Sequence, residues 1–185
     1  MMRSRTIRKN LVSQMVNRGR FYEEWIDQAN QVYEAKGLAV IKKIPTPWQV
    51  QRKYNQYKRT YEIAYAFPER KSTVDFGGTA SAQSIWFDAK VTENKTSFPL
   101  KNIHDHQVDY LEKVYKQGGM AFFLVHFTAH NKSFLLWLSD LFKFRAISAR
   151  KSIPYSWFEE NCEVISSGNG VTLDYLPAVL SRKDG

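Results

Sequence analysis

Apolar positions along the chain change their spacing several times, and each change predicts an element. In residues 20–36 the apolar side chains Tyr22, Trp25, Ile26, Ala29, Val32 and Tyr33 recur every three or four positions, the spacing of one helix face, and Gly37 follows as a stop. Residues 38–44 read as a short strand, ended by Pro45-Thr46-Pro47 because proline lacks a backbone donor and restricts the residue before it. Ahead of the helix, residues 1–19 scatter a few apolar positions among Arg, Asn and Ser, which predicts a flexible basic N-terminal arm halted at Gly19.

Beyond Ser72 the period shortens to that of strands. Residues 74–76 and 83–91 are predicted strands with Gly77-Gly78 as the hairpin turn between them, and residues 95–102, with Pro99, a loop. Asp105 is the expected cap of a helix running to about Gln117, with Tyr110, Leu111 and Val114 inward and Gly118-Gly119 closing it. Residues 120–127 and 133–138 are apolar enough for buried strands joined by a turn at 128–132. Short helices follow at 139–144 and 154–161, the second with Ser156 and Glu159 spaced as a capping box. The expected class is α/β of the mixed α+β kind, a mixed central sheet flanked by helices.

Composition narrows this further. The chain has 185 residues, 43% of them hydrophobic, enough to bury one core, so a single domain over residues 1–185 is expected. Its one cysteine, Cys162, excludes an intrachain disulfide or a Cys-rich zinc site and fits a reducing compartment; it reads as a packed, inert thiol. No stretch is long and apolar enough for a membrane helix and no secretory signal is seen, so a cytoplasmic protein without membrane partners is expected.

Charge changes the picture more. Residues 1–72 carry 15 Lys/Arg against 6 Asp/Glu, and residues 73–185 carry 12 against 12, so the whole net charge of +9 sits in the first two fifths. Such concentration suits a polyanion such as nucleic acid, against the alternative of a merely solvated basic surface. Residues 48–71 interleave Arg52, Lys53, Lys58, Arg59, Arg70 and Lys71 with Trp48, Tyr54, Tyr57, Tyr61, Tyr65 and Phe67. That suits a projecting element whose rings stack on bases while its cations meet phosphates. The competing reading is a helix whose aromatics pack on the domain.

Candidate chemistry centres on Asp75 and Asp88-Ala89-Lys90. Strand alternation points Asp88 and Lys90 to one face and Ile85, Phe87 and Ala89 to the other, and hairpin pairing brings Asp75 to Asp88. Two carboxylates held together repel, and a divalent cation with oxygen ligands, Mg²⁺ or Mn²⁺, relieves that cost. Glu23 can complete the shell, and Lys90 can orient a water and offset charge during phosphodiester hydrolysis. The competing reading is a surface ion pair beside a turn aspartate. His104 and His106, two apart, would diverge on a helix, which disfavours zinc; they are expected to contact DNA or core, with Gln107 turned back toward a metal-site water. His126 and His130 read as core-edge and turn residues. Neither a Gly-rich phosphate loop nor a dinucleotide fingerprint is present, against an ATPase or dehydrogenase.

These residues carry a resemblance. The run WFDAKVTENKTSFPLKNIHDHQVDYL, with VDFGG upstream, NRGRFYEEWI near the start and AVIKKIPTPWQV before the basic segment, resembles the RecU family of Holliday-junction resolvases from Gram-positive bacteria and some of their phages. The short ends resemble a phage-encoded member, which would act in the host cytoplasm. The resemblance implies a restriction-endonuclease-like PD-(D/E)xK core acting as a homodimer on four-way junction DNA with Mg²⁺ or Mn²⁺ in recombination and repair, and contact with the RecA recombinase. It assigns metal ligation to Asp75, Asp88 and Glu23, catalysis to these with Lys90 and Gln107, and a stalk insertion entering the junction to residues 45–71. The expected DNA-contacting set is Arg18, Arg20, Arg52, Lys53, Tyr57, Lys58, Arg59, Tyr61, Lys95, His104 and His106. Two departures stand out: Asp88 replaces a glutamate, and Val74 stands where threonine is common. Other readings are a restriction or repair-type nuclease on linear duplex and a catalytically idle junction-binding modulator of the recombinase.

Overall fold

The computed structural model describes residues 2–45, 48–68 and 73–182. Its first element, α1 (Met2–Ala35), carries the apolar stripe predicted over residues 20–36 but begins far earlier. The break expected at Gly19 is absent, and the backbone of residues 2–19 continues the helix. Glycine weakens a helix interior by about 1 kcal/mol relative to alanine yet keeps its backbone donor, so unlike proline it does not force a stop. The other end stops where glycine predicts. Gly37 sits at φ +68°, its N–H bonds to the Glu34 carbonyl at 3.0 Å, and the Leu38 N–H bonds to the Tyr33 carbonyl at 2.9 Å, the paired bonds of a Schellman cap.

The chain continues through β1 (Val40–Lys43), a hairpin of β2 (Trp48–Asn55) and β3 (Thr60–Pro68), then β4 (Phe76–Ala80) and β5 (Gln83–Thr92). Short strand β6 (Ser97–Pro99) and a 3-10 turn (Leu100–Asn102) occupy the segment expected as loop and lead into α2 (Asp105–Lys116). There follow β7 (Met120–Phe127), β8 (Lys132–Trp137), α3 (Leu138–Ile147), β9 (Ser152–Pro154) and α4 (Tyr155–Asn161). Residues 163–181, for which the pattern predicts nothing, supply β10 (Glu163–Ile165) and α5 (Leu176–Ser181).

Six strands form the central sheet in the order β1-β4-β5-β7-β8-β10, parallel between β5 and β7 and antiparallel at the other pairings. This is the expected mixed sheet flanked by helices. The parallel pair needs a long crossover, and α2 provides it. Because β7 is buried along its whole length, its alternate side chains feed two cores. Phe122 and Leu124 join Ile85 and Phe87 on the face covered by α1 and α5; Phe123, Val125 and Phe127 join Val108, Leu111, Phe144 and Phe158 on the face of α2, α3 and α4.

Local details differ from the pattern in instructive ways. Gly77-Gly78 is not the hairpin turn but lies inside β4; the turn is Ser81-Ala82, with φ of 49° and 63° as a two-residue loop of the I′ class requires. The glycines serve close approach instead. A Cβ at Gly77 would lie 2.4 Å from the Trp86 ring, and one at Gly78 2.0 Å from the Val40 carbonyl oxygen on β1. The cap of α2 is His104 rather than Asp105, which is the first helical residue. Helix α4 starts at Tyr155 without a side-chain cap, so the Ser156–Glu159 spacing falls inside it.

Candidate active site

The Phe76–Phe87 pairing of β4 with β5 sets Asp75, the residue before β4, beside Asp88, the residue after Phe87. Both strands hold the pair in place. Asp75 Oδ2 accepts the Ala89 N–H at 3.0 Å, and the Asp75 carbonyl accepts the Ile44 N–H at 2.8 Å where the chain leaves β1. Ile85 and Phe87 point into the α1 core, as alternation predicts, leaving Asp88 and Lys90 on the α2 side. Asp88 is fully buried there, and Lys90 Nζ donates to its Oδ2 at 2.5 Å. Gln107, on the first turn of α2, donates from Nε2 to both Asp88 oxygens at 2.8 Å, while its Oε1 accepts the His104 N–H at 3.3 Å. The capping contact therefore fixes which way the amide faces. Gln107 grips the carboxylate itself, where the sequence suggested it would turn toward a water.

Burial raises the Asp88 carboxyl first, the neighbouring Asp75 charge adds to this, and Lys90 offsets only part, so its pKa is pushed up to about 8. A carboxyl that resists ionising beside a second carboxylate is a place where a cation is favourable. The donors are oxygens, which suits a hard divalent ion. Glu23 stands apart from the pair. Its Oε2 is held by Lys43 Nζ at 2.5 Å, and among the described residues no three His, Cys, Asp or Glu side chains gather as a metal-ligand set. Lys43 is the residue that the sequence reading missed. Its ammonium is held protonated chiefly by Glu23, with Asp75 and Asp27 adding to the effect. Its only signal would have been the register of β1 on β4, where Lys43 pairs with Phe76 next to Asp75.

His104 and His106 do not diverge as expected for two helical positions. His104 is the extended N-cap (φ −86°, ψ 142°), and the two rings stack with centroids 5.6 Å apart. His126 is buried, stacked on Tyr22 and 3.0 Å from Ser133 Oγ; His130 sits in the β7–β8 turn with Nε2 2.7 Å from the Lys95 carbonyl. Burial pushes the Cys162 thiol up to about 12, which fits an inert packed group.

The predicted DNA-contacting residues spread over two regions. Arg20 is exposed on α1 beside Glu24, and the Arg18 side chain lies outside the described residues. Arg52, Lys53, Tyr57, Lys58, Arg59 and Tyr61 all lie on the β2–β3 hairpin, and the competing reading of a packed helix is wrong. The strands bond to each other and leave Trp48, Tyr54, Tyr61, Ile63, Tyr65 and Phe67 exposed, with Tyr57 fully so at the tip. β-Branched and aromatic residues favour strands over helix, and among the described residues both faces of this hairpin stay exposed. Residues 46, 47 and 69–72, including Arg70 and Lys71, lie outside the described residues. Lys95 is exposed in the loop after β5.

Among the described residues, no helix is long and apolar enough to cross a membrane. A family model described as "RecU: Recombination protein U" matches residues 17–181. The Holliday junction resolvase RecU of Oceanobacillus iheyensis is 38% identical over 166 residues, spanning 88% of this chain and 85% of that one. The Holliday junction resolvase RecU of Pediococcus pentosaceus is 39% identical over 165 residues, spanning 88% and 82%. The solved Hjc resolvase of Archaeoglobus fulgidus overlaps with a TM-score of 0.43 at 9% identity, over 77% of this chain and 88% of that chain.

Proposed function

This chain belongs to the RecU family, and from that premise we propose that it is an endonuclease that binds four-way DNA junctions and hydrolyses paired phosphodiester bonds with Mg²⁺ or Mn²⁺. The observation that carries the proposal is the meeting of Asp75, Asp88 and Lys90 where β4 pairs with β5, with Gln107 holding Asp88 from α2. Asp75 and Asp88 would hold the cation, and Glu23 would complete its shell once released from Lys43. When bound, such an ion would supply Lewis-acid polarisation of the phosphoryl group and ease deprotonation of an attacking water. Lys90 orients the attacking water and stands beside the charge that builds on the phosphate. Gln107 holds both Asp88 oxygens on the α2 face of the sheet.

Binding is the task of the basic first two fifths. The β2–β3 hairpin acts as the stalk that enters the junction centre, its Arg and Lys side chains on phosphates and its exposed rings on unstacked bases. Paired nicks need two active sites, hence two copies of the chain. A restriction-type nuclease on linear duplex, or an idle junction binder, would keep some of these parts. Retention of Asp75, Asp88 and Lys90 together favours the cutting enzyme over the idle one.

The test is cleavage of a mobile four-way junction beside a linear duplex of the same sequence, with nicks mapped on each strand. Symmetric nicks confined to the junction and dependent on Mg²⁺ or Mn²⁺ are expected. Equal cutting of linear duplex, or tight binding without nicks, overturns the proposal. Asp75→Ala and Asp88→Ala are each expected to abolish cleavage while retaining junction binding, and normal nicking by either variant would remove that residue from the site.

A further inference from the structure

A second cleft opens where β5 ends. It has a volume of about 260 Å³ and is lined by Thr92, Glu93, Asn94, Pro99, Lys101 and Asn102. Both of its walls continue directly from the active site. One is the end of β5, which leaves Lys90 two residues before Thr92. The other is the 3-10 turn Leu100–Asn102, and two residues beyond it His104 caps α2 and holds Gln107 against Asp88. At about 3.3 Å per strand residue, Thr92 lies roughly 7 Å from Lys90, and Asn94 follows in the turn just beyond it. Bases stack at about 3.4 Å along one strand, so this is the reach of the first few nucleotides beyond a phosphate held at Lys90.

The walls are fixed. The Thr92 carbonyl accepts the Thr128 N–H at 3.0 Å and the Thr128 hydroxyl at 3.2 Å, and the Asn94 N–H bonds to Thr92 Oγ1 at 3.3 Å. Across the cleft the Leu100 N–H bonds to the Lys151 carbonyl at 3.0 Å, and on its far side the Thr96 carbonyl accepts the Tyr155 N–H at 2.8 Å. Against this rigid frame the side-chain amides of Asn94 and Asn102 make no hydrogen bond among the described residues, and Lys101 is exposed beside them. The volume falls below the roughly 300–1,000 Å³ that encloses a whole small ligand, and it suits part of a nucleotide. Asparagine reads adenine at N6 and N7, and lysine reads guanine at O6 and N7.

We propose that this cleft is a base-reading subsite that receives a purine next to the scissile phosphate and so sets where along a sequence the enzyme nicks, with Asn94, Lys101 and Asn102 as its readers. The proposal rests on the nuclease reading above. Two amides and an ammonium against one purine edge discriminate through hydrogen bonds, and a wrong base leaves some of them without a base partner. Phosphate contact by Lys101 alone would raise affinity for every sequence equally.

The experiment is nick mapping on a junction whose branch point migrates through a randomised sequence, with all products counted, for the wild type, Asn94→Ala, Asn102→Ala and Asn102→Asp. The wild type is expected to nick beside a purine with at least tenfold preference at one flanking position. The alanine variants should flatten that preference to within about threefold while junction affinity stays within twofold. Asn102→Asp keeps the shape but loses the donor, and should redirect the preference rather than erase it. Thermal melting identical to the wild type shows that each variant folds. A nicking preference that is the same in all three variants as in the wild type overturns the subsite and leaves the nuclease reading standing. A uniform loss of affinity across sequences also overturns it, because the cleft would then hold backbone. A wild type that nicks no junction sinks the nuclease reading itself.

Discussion

Asp88 is folded into a place where its charge is unfavourable, and this gives the protein a pH dependence of definite sign. Its carboxyl is pushed up to about 8 by burial and by Asp75, against about 4 in an unfolded chain. Between those values the folded state keeps a proton that the unfolded state has released, so stability falls as pH rises from about 4 to 8 and levels off above. Urea unfolding across that range in a chelator should show the decline. Millimolar Mg²⁺ or Mn²⁺ should flatten it, and Asp88→Asn should lack it and exceed the wild type in stability at pH 8. Gln107 acts through Asp88, so Gln107→Ala should raise the metal concentration needed for half-maximal cleavage by about 10–100-fold, the usual cost of losing a ligand's orienting partner. A metal titration with unchanged midpoint would assign Gln107 to capping alone. Asp88 and Lys90 were legible in the sequence because alternation along one strand puts them on one face; Asp75 reaches them through the β4–β5 register, which is set by a turn at Ser81-Ala82 and not at the glycines the sequence offered. Lys43 was not legible, since its place depends on β1 joining β4 across the hairpin insertion, and nothing local encodes that register.

At the scale of elements, strand glycines and the projecting hairpin make separate predictions. An added methyl at Gly77 meets the Trp86 ring, which can shift, whereas one at Gly78 meets the backbone of β1. Gly77→Ala should therefore cost about 1–3 kcal/mol, the usual range for overpacking. Gly78→Ala should cost more and also impair cleavage, because β1 carries Lys43 to the site; thermal melts and nicking assays on both variants check the order. In the hairpin, Asn55 shapes the tip by accepting the Tyr57 and Lys58 N–H groups, and Lys58 pairs with Glu62 at 2.8 Å. That exposed pair contributes little to stability. Lys58→Ala and Arg59→Ala should thus melt like the wild type and each lower the slope of log affinity against log salt for junctions by about one. An unchanged slope counts against the stalk. Composition revealed that residues 48–71 are unusual, but aromatics three and four apart occur on helices too, and the choice of strand was settled only by cross-strand pairing. Capping failed for the same reason at α2, where His104 does what Asp105 seemed placed to do.

For the whole molecule, the sheet explains how a basic front end and a neutral back end cooperate. Most of the excess charge of residues 1–72 falls within α1, β1 and the hairpin, and α1 and β1 also supply Tyr22, Ile26, Tyr33 and Ile41 to one of the two cores. The class of fold was readable because strands and helices alternate with clear periods. The last strand and helix were not, since β10 and α5 span only 3 and 6 residues, and α5 is fixed by Tyr33 and Asn30 bonding to Asp174 and Tyr175 more than 140 positions away. The order of pairing has one more consequence, for the chain as it is synthesised. Every residue proposed for cleavage lies between positions 23 and 107, but the strand that β5 joins and α2 packs against is β7, residues 120–127. A nascent chain of 119 residues holds all the side chains proposed for cleavage and the β4–β5 pairing, but it lacks the strand that flanks β5 and seats α2. Asp88 is then a solvated carboxylate on an unpaired edge. The nuclease comes into being only once the next eight residues have emerged and docked, so an interrupted synthesis releases a fragment that carries the chemistry in its sequence without the means to use it.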